Sequence, residues 1–311
     1  MEHFVTLFDR SFLPQGLALH ASMERHVANY TLWVLCVDSD SYTILSKLNL
    51  NNIRLLSVAE LETEELLKVK SSRSIGEYCW TLTPFSPRFV FDQDDSISRV
   101  TYIDADVWFR ADPTVLFSEF ESSGAGVLIT DHAYAPDYDA SAISGKYCVQ
   151  FMSFLRIEGE AVRNWWADRC IEWCFARSED GKLGDQKYLD DWPERFGNQV
   201  HVLSNKELAL GPWNATRFPY NTGIFYHFHG LRLTSKKMAN LGPYPLPGPL
   251  LEHVYRPYFE DLRFAINALE RIGVSFIPQA KSMDLLRKIY RKVLPGYKII
   301  KTYMPAGYIK F

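Results

Sequence analysis

Apolar residues recur along this chain in short runs, and the spacing of those runs switches between two periods. Continuous apolar stretches at residues 3–9, 30–38, 53–58, 99–106 and 126–131 predict β-strands. Between them, residues 13–27, 41–47, 59–69, 75–91 and 113–120 carry the spacing of amphipathic helices. Asp112 and Pro113 read as an N-cap followed by proline at the first helical position. Strands alternating with helices predict an α/β fold: a mostly parallel sheet flanked by helices.

The second half is less regular. Residues 147–156 read as a strand, 158–177 as a helix and 185–195 as a shorter helix. Residues 199–203 and 221–229 read as strands, and the proline- and glycine-rich stretch 241–249 breaks the pattern. A helix over 250–272 follows. This predicts a catalytic domain over residues 1–249 and a C-terminal appendage over 250–311, helical and then basic and aromatic.

Composition narrows the class. The chain has 311 residues, 47% of them hydrophobic, which is enough for a full core. Aromatic residues make up 14%, which suits stacking on sugars or bases as well as a thick core. A net charge of -3 argues against nucleic-acid binding. Five scattered cysteines form no zinc pattern and read as reduced, buried thiols of a cytoplasmic protein. The first residues, MEHFVTLFD, lack the pattern of a signal peptide, and no stretch approaches the length of a membrane span. Residues 281–311 hold eight basic residues and one acid among five aromatics, a net +7. That mixture suits the anionic face of a membrane; a solvated helix with a loose end is the plainer alternative.

In parallel sheets ligands gather at the carboxyl ends of the strands. Asp9, Asp38 and the pair Asp104 and Asp106 all fall at such ends, which predicts one shared cleft. Asp104 and Asp106 are the most informative. If the strand runs through them, their side chains share a face. Two anions held side by side call for a cation, and two carboxylates completed by substrate phosphates describe a divalent metal site. Capping of the next helix is the alternative.

A second cluster is Tyr226-His-Phe-His-Gly230, in which His227 and His229 lie two apart. Either could be a metal ligand, a phosphate donor or a core residue. An imidazole added to two carboxylates favours Mn²⁺, with Mg²⁺ as the alternative.

With these residues in hand the chain resembles a GT-A glycosyltransferase. More specifically it is similar to the retaining family that includes glycogenin and bacterial lipopolysaccharide galactosyl- and glucosyltransferases. The likeness rests on Tyr102-Ile-Asp-Ala-Asp106, on Asp185-Gln186, on His227-Phe-His-Gly230, and on Phe8, Asp9 and Phe12 near the start. It spans about Phe4 to Gly230.

The resemblance implies a Rossmann-like GT-A fold and a UDP-sugar donor. It implies a saccharide or glycolipid acceptor and a metal held by Asp104, Asp106 and His227. It places Phe8, Asp9 and Phe12 at the uracil, Asp104 also at the ribose, Arg88 near the donor and Asp185 at hydroxyls of the transferred sugar. Gln150 substitutes in Tyr147-Cys-Val-Gln-Phe-Met152 for the family's Asn-Ser-Gly strand near the donor sugar, which makes its carbonyl, with Asp185, the catalytic candidate to meet positive charge on the sugar ring. The family's diphosphate lysine has no clean match; Arg232 and Lys236 are the candidates. Trp213 reads as a stacking platform for an acceptor sugar or as a plug under its loop.

Two rival activities share some of these features. A sugar-nucleotidyltransferase would open with a glycine-rich basic loop, which Asp9-Arg-Ser-Phe-Leu-Pro14 is not. A non-catalytic nucleotide-sugar-binding module would lack the metal triad.

Overall fold

The computed structural model describes residues 1–279 and 307–311. Its strands are β1 (Glu2–Phe8), β2 (Tyr30–Cys36), β3 (Ile53–Ser57), β4 (Arg99–Ile103), β5 (Val107–Phe109), β6 (Val127–Asp131) and β7 (Tyr147–Leu155). They continue with β8 (Val200–Val202), β9 (Ala209–Leu210), β10 (Phe225–His227), β11 (Arg232–Ser235), β12 (Met238–Asn240) and β13 (Tyr308–Lys310). The main sheet has seven strands in the order β3-β2-β1-β4-β7-β6-β8. Within it only β7 runs against its neighbours, β4 and β6. The mostly parallel α/β sheet expected from the apolar runs is therefore present. Continuous runs such as Val34-Leu35-Cys36 are buried because helices cover both faces.

Local chemistry sets the helix boundaries. Asp38 caps Ser39–Leu48, and Asn49 ends that helix in a left-handed conformation. Ser74 and Glu77 form a capping box at Ile75–Leu82. The single helix expected over 75–91 is instead three pieces, Ile75–Leu82, a 3₁₀ turn at Thr83–Phe85 and Ser86–Phe91. Pro84 and Pro87 each remove an amide donor, so the hydrogen-bond ladder restarts at each. The helix expected over 59–69 is likewise split, into Val58–Leu61 and Glu64–Lys70.

Leu13–His26 and Arg256–Arg271 pack together on one face of the molecule. Tyr258, Leu262 and Ile266 of the second helix join Trp108, Tyr226 and Phe228 in one apolar cluster. The segment expected as an appendage thus shares a core with the strands that precede it. The basic tail from Lys281 lies mostly outside the described residues. Of it, β13 pairs antiparallel with β12, and the Phe311 ring stacks on Phe259 at 4.6 Å. No described helix is long and apolar enough to cross a membrane.

Candidate active site

β4 ends at Ile103, and residues 104–106 form a tight turn rather than a continuation of the strand. The Val107 amide donates to the Asp104 carbonyl (3.1 Å) and closes it. The shared strand face expected for Asp104 and Asp106 does not exist; the turn gathers the two carboxylates instead. Beyond it β5 leaves the main sheet and pairs with β10, setting His227 opposite Val107. The Phe228 amide donates to the Asp106 carbonyl (2.9 Å) and fixes the far side of the turn.

His227 Nε2 lies 3.0 Å from Asp106 Oδ1 and 3.7 Å from Asp104 Oδ2. One ligand atom from each of the three residues lies within 4.8 Å of the others. Among the described residues this is the one group of three or more such side chains so placed. Two neighbours orient the triad from outside. The Tyr102 hydroxyl donates to Asp104 Oδ1 (2.8 Å), and Gln150 Oε1 sits 3.1 Å from His227 Nδ1. With a cation between them, an Nδ1–H donated to Gln150 would leave a neutral ring whose Nε2 lone pair faces the ion. Two carboxylate oxygens and one oriented imidazole nitrogen fit a divalent cation.

The charges agree with that fit. Burial lifts the Asp104 carboxyl above the usual range, and the Asp106 carboxylate adds to the lift against the pull of His227. Burial also acts upward on Asp106, but the charge and hydrogen bond of His227, with Arg232, hold it below the usual range. Burial would depress His227, yet the two carboxylates raise it.

The turn opens into a cleft of about 640 Å³ at the carboxyl ends of β1 and β4, a size that suits a small-molecule ligand. Phe8, Asp9 and Phe12 line it, as do Asp104, Asp106, Asp185 and His227. Asp9 accepts from the Ser11 amide and hydroxyl, which shapes the loop after β1. Gly16 brings the following helix onto the Phe8 ring, where a Cβ would lie 2.4 Å from Cζ. Asp185 is 3% exposed, its Oδ2 has no partner, and its carboxyl is pushed up to about 7 by burial and then by the charge of Asp104.

Four of the expected residues lie outside the cleft lining. Asp38 is spent on its own backbone, accepting from the Ser41 and Arg10 amides, and does not reach the cleft. Arg88 is also outside the lining, with a side chain 56% exposed beside Asp92. Lys236 pairs with Glu270 at the surface. Gln150 is fully buried behind His227 rather than facing the cleft. Arg232 is the one Arg or Lys among the described residues that lines the cleft, and its guanidinium lies 5.3 Å from the centre of the Phe12 ring. Trp213 is buried under its loop and packs edge-on to His227 and His229 while lining the cleft.

Two residues that hold the site in shape carry no role of their own in the sequence pattern. Tyr102 enters only as the first residue of the Tyr102-Ile-Asp-Ala-Asp106 motif. Gln279 lies far from every motif, yet its side chain donates to the Ser11 carbonyl and accepts from the Leu233 amide. It ties the loop after β1 to the strand that carries Arg232.

No family model matches the chain. Solved structures with this architecture include the galactosyltransferase LgtC bound to donor and acceptor sugar analogs. That match has a TM-score of 0.52 and 13% identity, and it covers 94% of this chain and 100% of that one. The glycosyltransferase GlyE of Streptococcus pneumoniae TIGR4 matches with a TM-score of 0.50 and 14% identity, over 90% of this chain and 67% of that one. The fold is that of the GT-A glycosyltransferases, as the motifs implied.

Among curated sequences, the uncharacterized protein YfnF of Bacillus subtilis (strain 168) is 34% identical over 251 residues, 75% of this chain and 82% of that one. YfnD of the same strain is 30% identical over 289 residues, 86% and 91% respectively. The chain belongs to the family of YfnF and YfnD.

Proposed function

We propose that this protein is a metal-dependent glycosyltransferase that moves a hexose from a UDP-sugar to a glycan or lipid-linked saccharide acceptor, with retention of anomeric configuration. What supports the reading above all is the convergence of Asp104, Asp106 and His227 at the mouth of one cleft in a GT-A fold. Mn²⁺ held by these three would offset the charge that develops on the diphosphate as the sugar leaves.

The other residues divide the remaining work. Asp9 and Phe12, with Phe8 buttressing them from below, receive the uracil ring. Asp104 also meets the ribose. Arg232, held over Phe12, adds positive charge to the diphosphate. Asp185 accepts from hydroxyls of the transferred sugar, which supply the partner its Oδ2 lacks. The acceptor hydroxyl attacks C1 from the side the diphosphate leaves, so no glycosyl-enzyme forms at Asp185. The basic, aromatic residues 281–311 would bring the enzyme to an anionic cytoplasmic membrane face.

Thermal unfolding with UDP, with and without Mn²⁺, tests this. A ligand at 100 times its Kd stabilises the native state by about 2.7 kcal/mol. The expected shift needs both UDP and Mn²⁺ and is absent in Asp106→Ala. No shift with UDP, whatever the metal, overturns the reading.

A further inference from the structure

Gln150 touches both arms of the metal corner, one through its backbone and the other through its side chain. Its backbone carbonyl accepts from the Asp104 amide (3.1 Å), which continues the β4–β7 ladder one step past β4. Its side-chain oxygen meets His227 Nδ1 at 3.1 Å. The side-chain nitrogen is 3.4 Å from Thr130 Oγ1, whose own hydroxyl donates to the Cys148 carbonyl. With that hydroxyl donating to Cys148 it accepts from Gln150, an assignment that presents the amide nitrogen to Thr130 and the amide oxygen to His227. Neither rotor is free: Gln150 and Thr130 are fully buried between β6, β7 and β10.

We infer that Gln150 is a positioning residue for the metal, holding His227 as its Nδ1–H tautomer with Nε2 directed at the site, and that it makes no contact with the transferred sugar. This rests on the metal-site reading above. It differs from the role implied by sequence resemblance, which set Gln150 beside the donor. The physical reason is depth: on β7 the side chain at position 150 points to the β6–β10 side, where it meets a ring nitrogen and not the cleft. Removing a hydrogen-bond partner that orients a metal-ligating imidazole typically changes metal affinity 10- to 100-fold.

The test measures Mn²⁺ affinity by electron paramagnetic resonance of the free ion, with no substrate present. Gln150→Met keeps the length of the side chain and removes the acceptor; Gln150→Glu keeps an acceptor. The expected result is a roughly 10- to 100-fold weaker Kd for Mn²⁺ in Gln150→Met and near wild-type binding in Gln150→Glu. A residue that only fills the core would lower Tm in Gln150→Met and leave the Kd within twofold, and that outcome overturns the inference. Nitrogen-15 NMR of wild-type protein loaded with diamagnetic Mg²⁺ gives an answer that needs no variant. Protonation at His227 Nδ1 is expected, and protonation at Nε2 refutes it. A wild type that binds UDP but no divalent ion overturns the Gln150 role while leaving the nucleotide site standing. A wild type that binds neither overturns both readings.

Discussion

At one end of the cleft, Asp104 and Asp106 share the His227 imidazole, and Tyr102, Gln150 and the backbone hold these residues in place. At the other end, Asp185 is as deeply buried but leaves one oxygen unpaired and has Asp104 rather than a cation as its charged neighbour. The first end is organised before any ligand arrives. The second carries a carboxyl that is poorly solvated and unmatched, and only a ligand can match it. Buried acids are expensive unless paired, so the cost in the first case is met by the fold and in the second is left for the substrate. On the proposed function, the nucleotide end would bind tightly by itself and the sugar end would discriminate.

The comparison can be broken most sharply at the organised end. Asp106→Asn leaves His227 facing an amide, and loss of this charge should reduce transfer about 10²- to 10³-fold in a radiolabelled-sugar assay. Retention of full activity there would mean the triad is structural.

Asp185→Asn comes next and should behave differently. Transfer should fall about 10²-fold while the stabilisation by UDP and Mn²⁺ persists. The folded-state pKa of Asp185, about 7, lies above its unfolded value. The native state therefore holds a proton the unfolded chain releases, and the metal-free protein loses stability as pH rises from about 4 to 7, by an amount on the order of a few kcal/mol. Asp185→Asn should flatten that part of the stability curve, measured by urea unfolding across the range. If the substitution instead abolishes the metal-dependent shift, the two ends are not separable.

Arg232→Ala sharpens the picture of the diphosphate region. Its expected effect is about a tenfold loss of UDP affinity by calorimetry, with Mn²⁺ binding little changed, in keeping with one charge-assisted contact. The smallest effects belong to Arg88→Ala and Lys236→Ala. Both residues sit in exposed pairs outside the cleft, so stability should change by less than about 1 kcal/mol and UDP affinity not at all. A large loss of affinity in either would show that the cleft extends to a surface the present lining does not include.

Much of this site is visible in the order of residue types. The parallel strands announce themselves because burial on both faces leaves few polar positions inside them. The acid pair stands out because it interrupts such a run. His227 follows the same logic at the end of β10. What sequence conceals is depth and direction. Asp104 and Asp106 read as strand residues because periodicity cannot see that the Val107 amide folds back onto Asp104. Asp38 and Asp9 follow strands in the same way, yet one is consumed by a helix cap and the other faces ligand space. Gln150 and Arg88 were placed by resemblance, and each is displaced by a fact about burial that no spacing encodes. Gln279 had no local pattern at all, since its three partners come from segments distant in the chain.

The turn at residues 104–106 also has a mechanical meaning. It is the seam between two hydrogen-bonded ladders: β4 belongs to the seven-stranded sheet, while β5 belongs to the three-stranded sheet with β10 and β9. Two prospective ligands sit on the seam itself and the third on the smaller ladder. An ion gripped there acts as a rivet through both. Peeling the smaller ladder away would tear the coordination apart, so whatever occupies the corner also decides whether the two sheets open separately or as one unit.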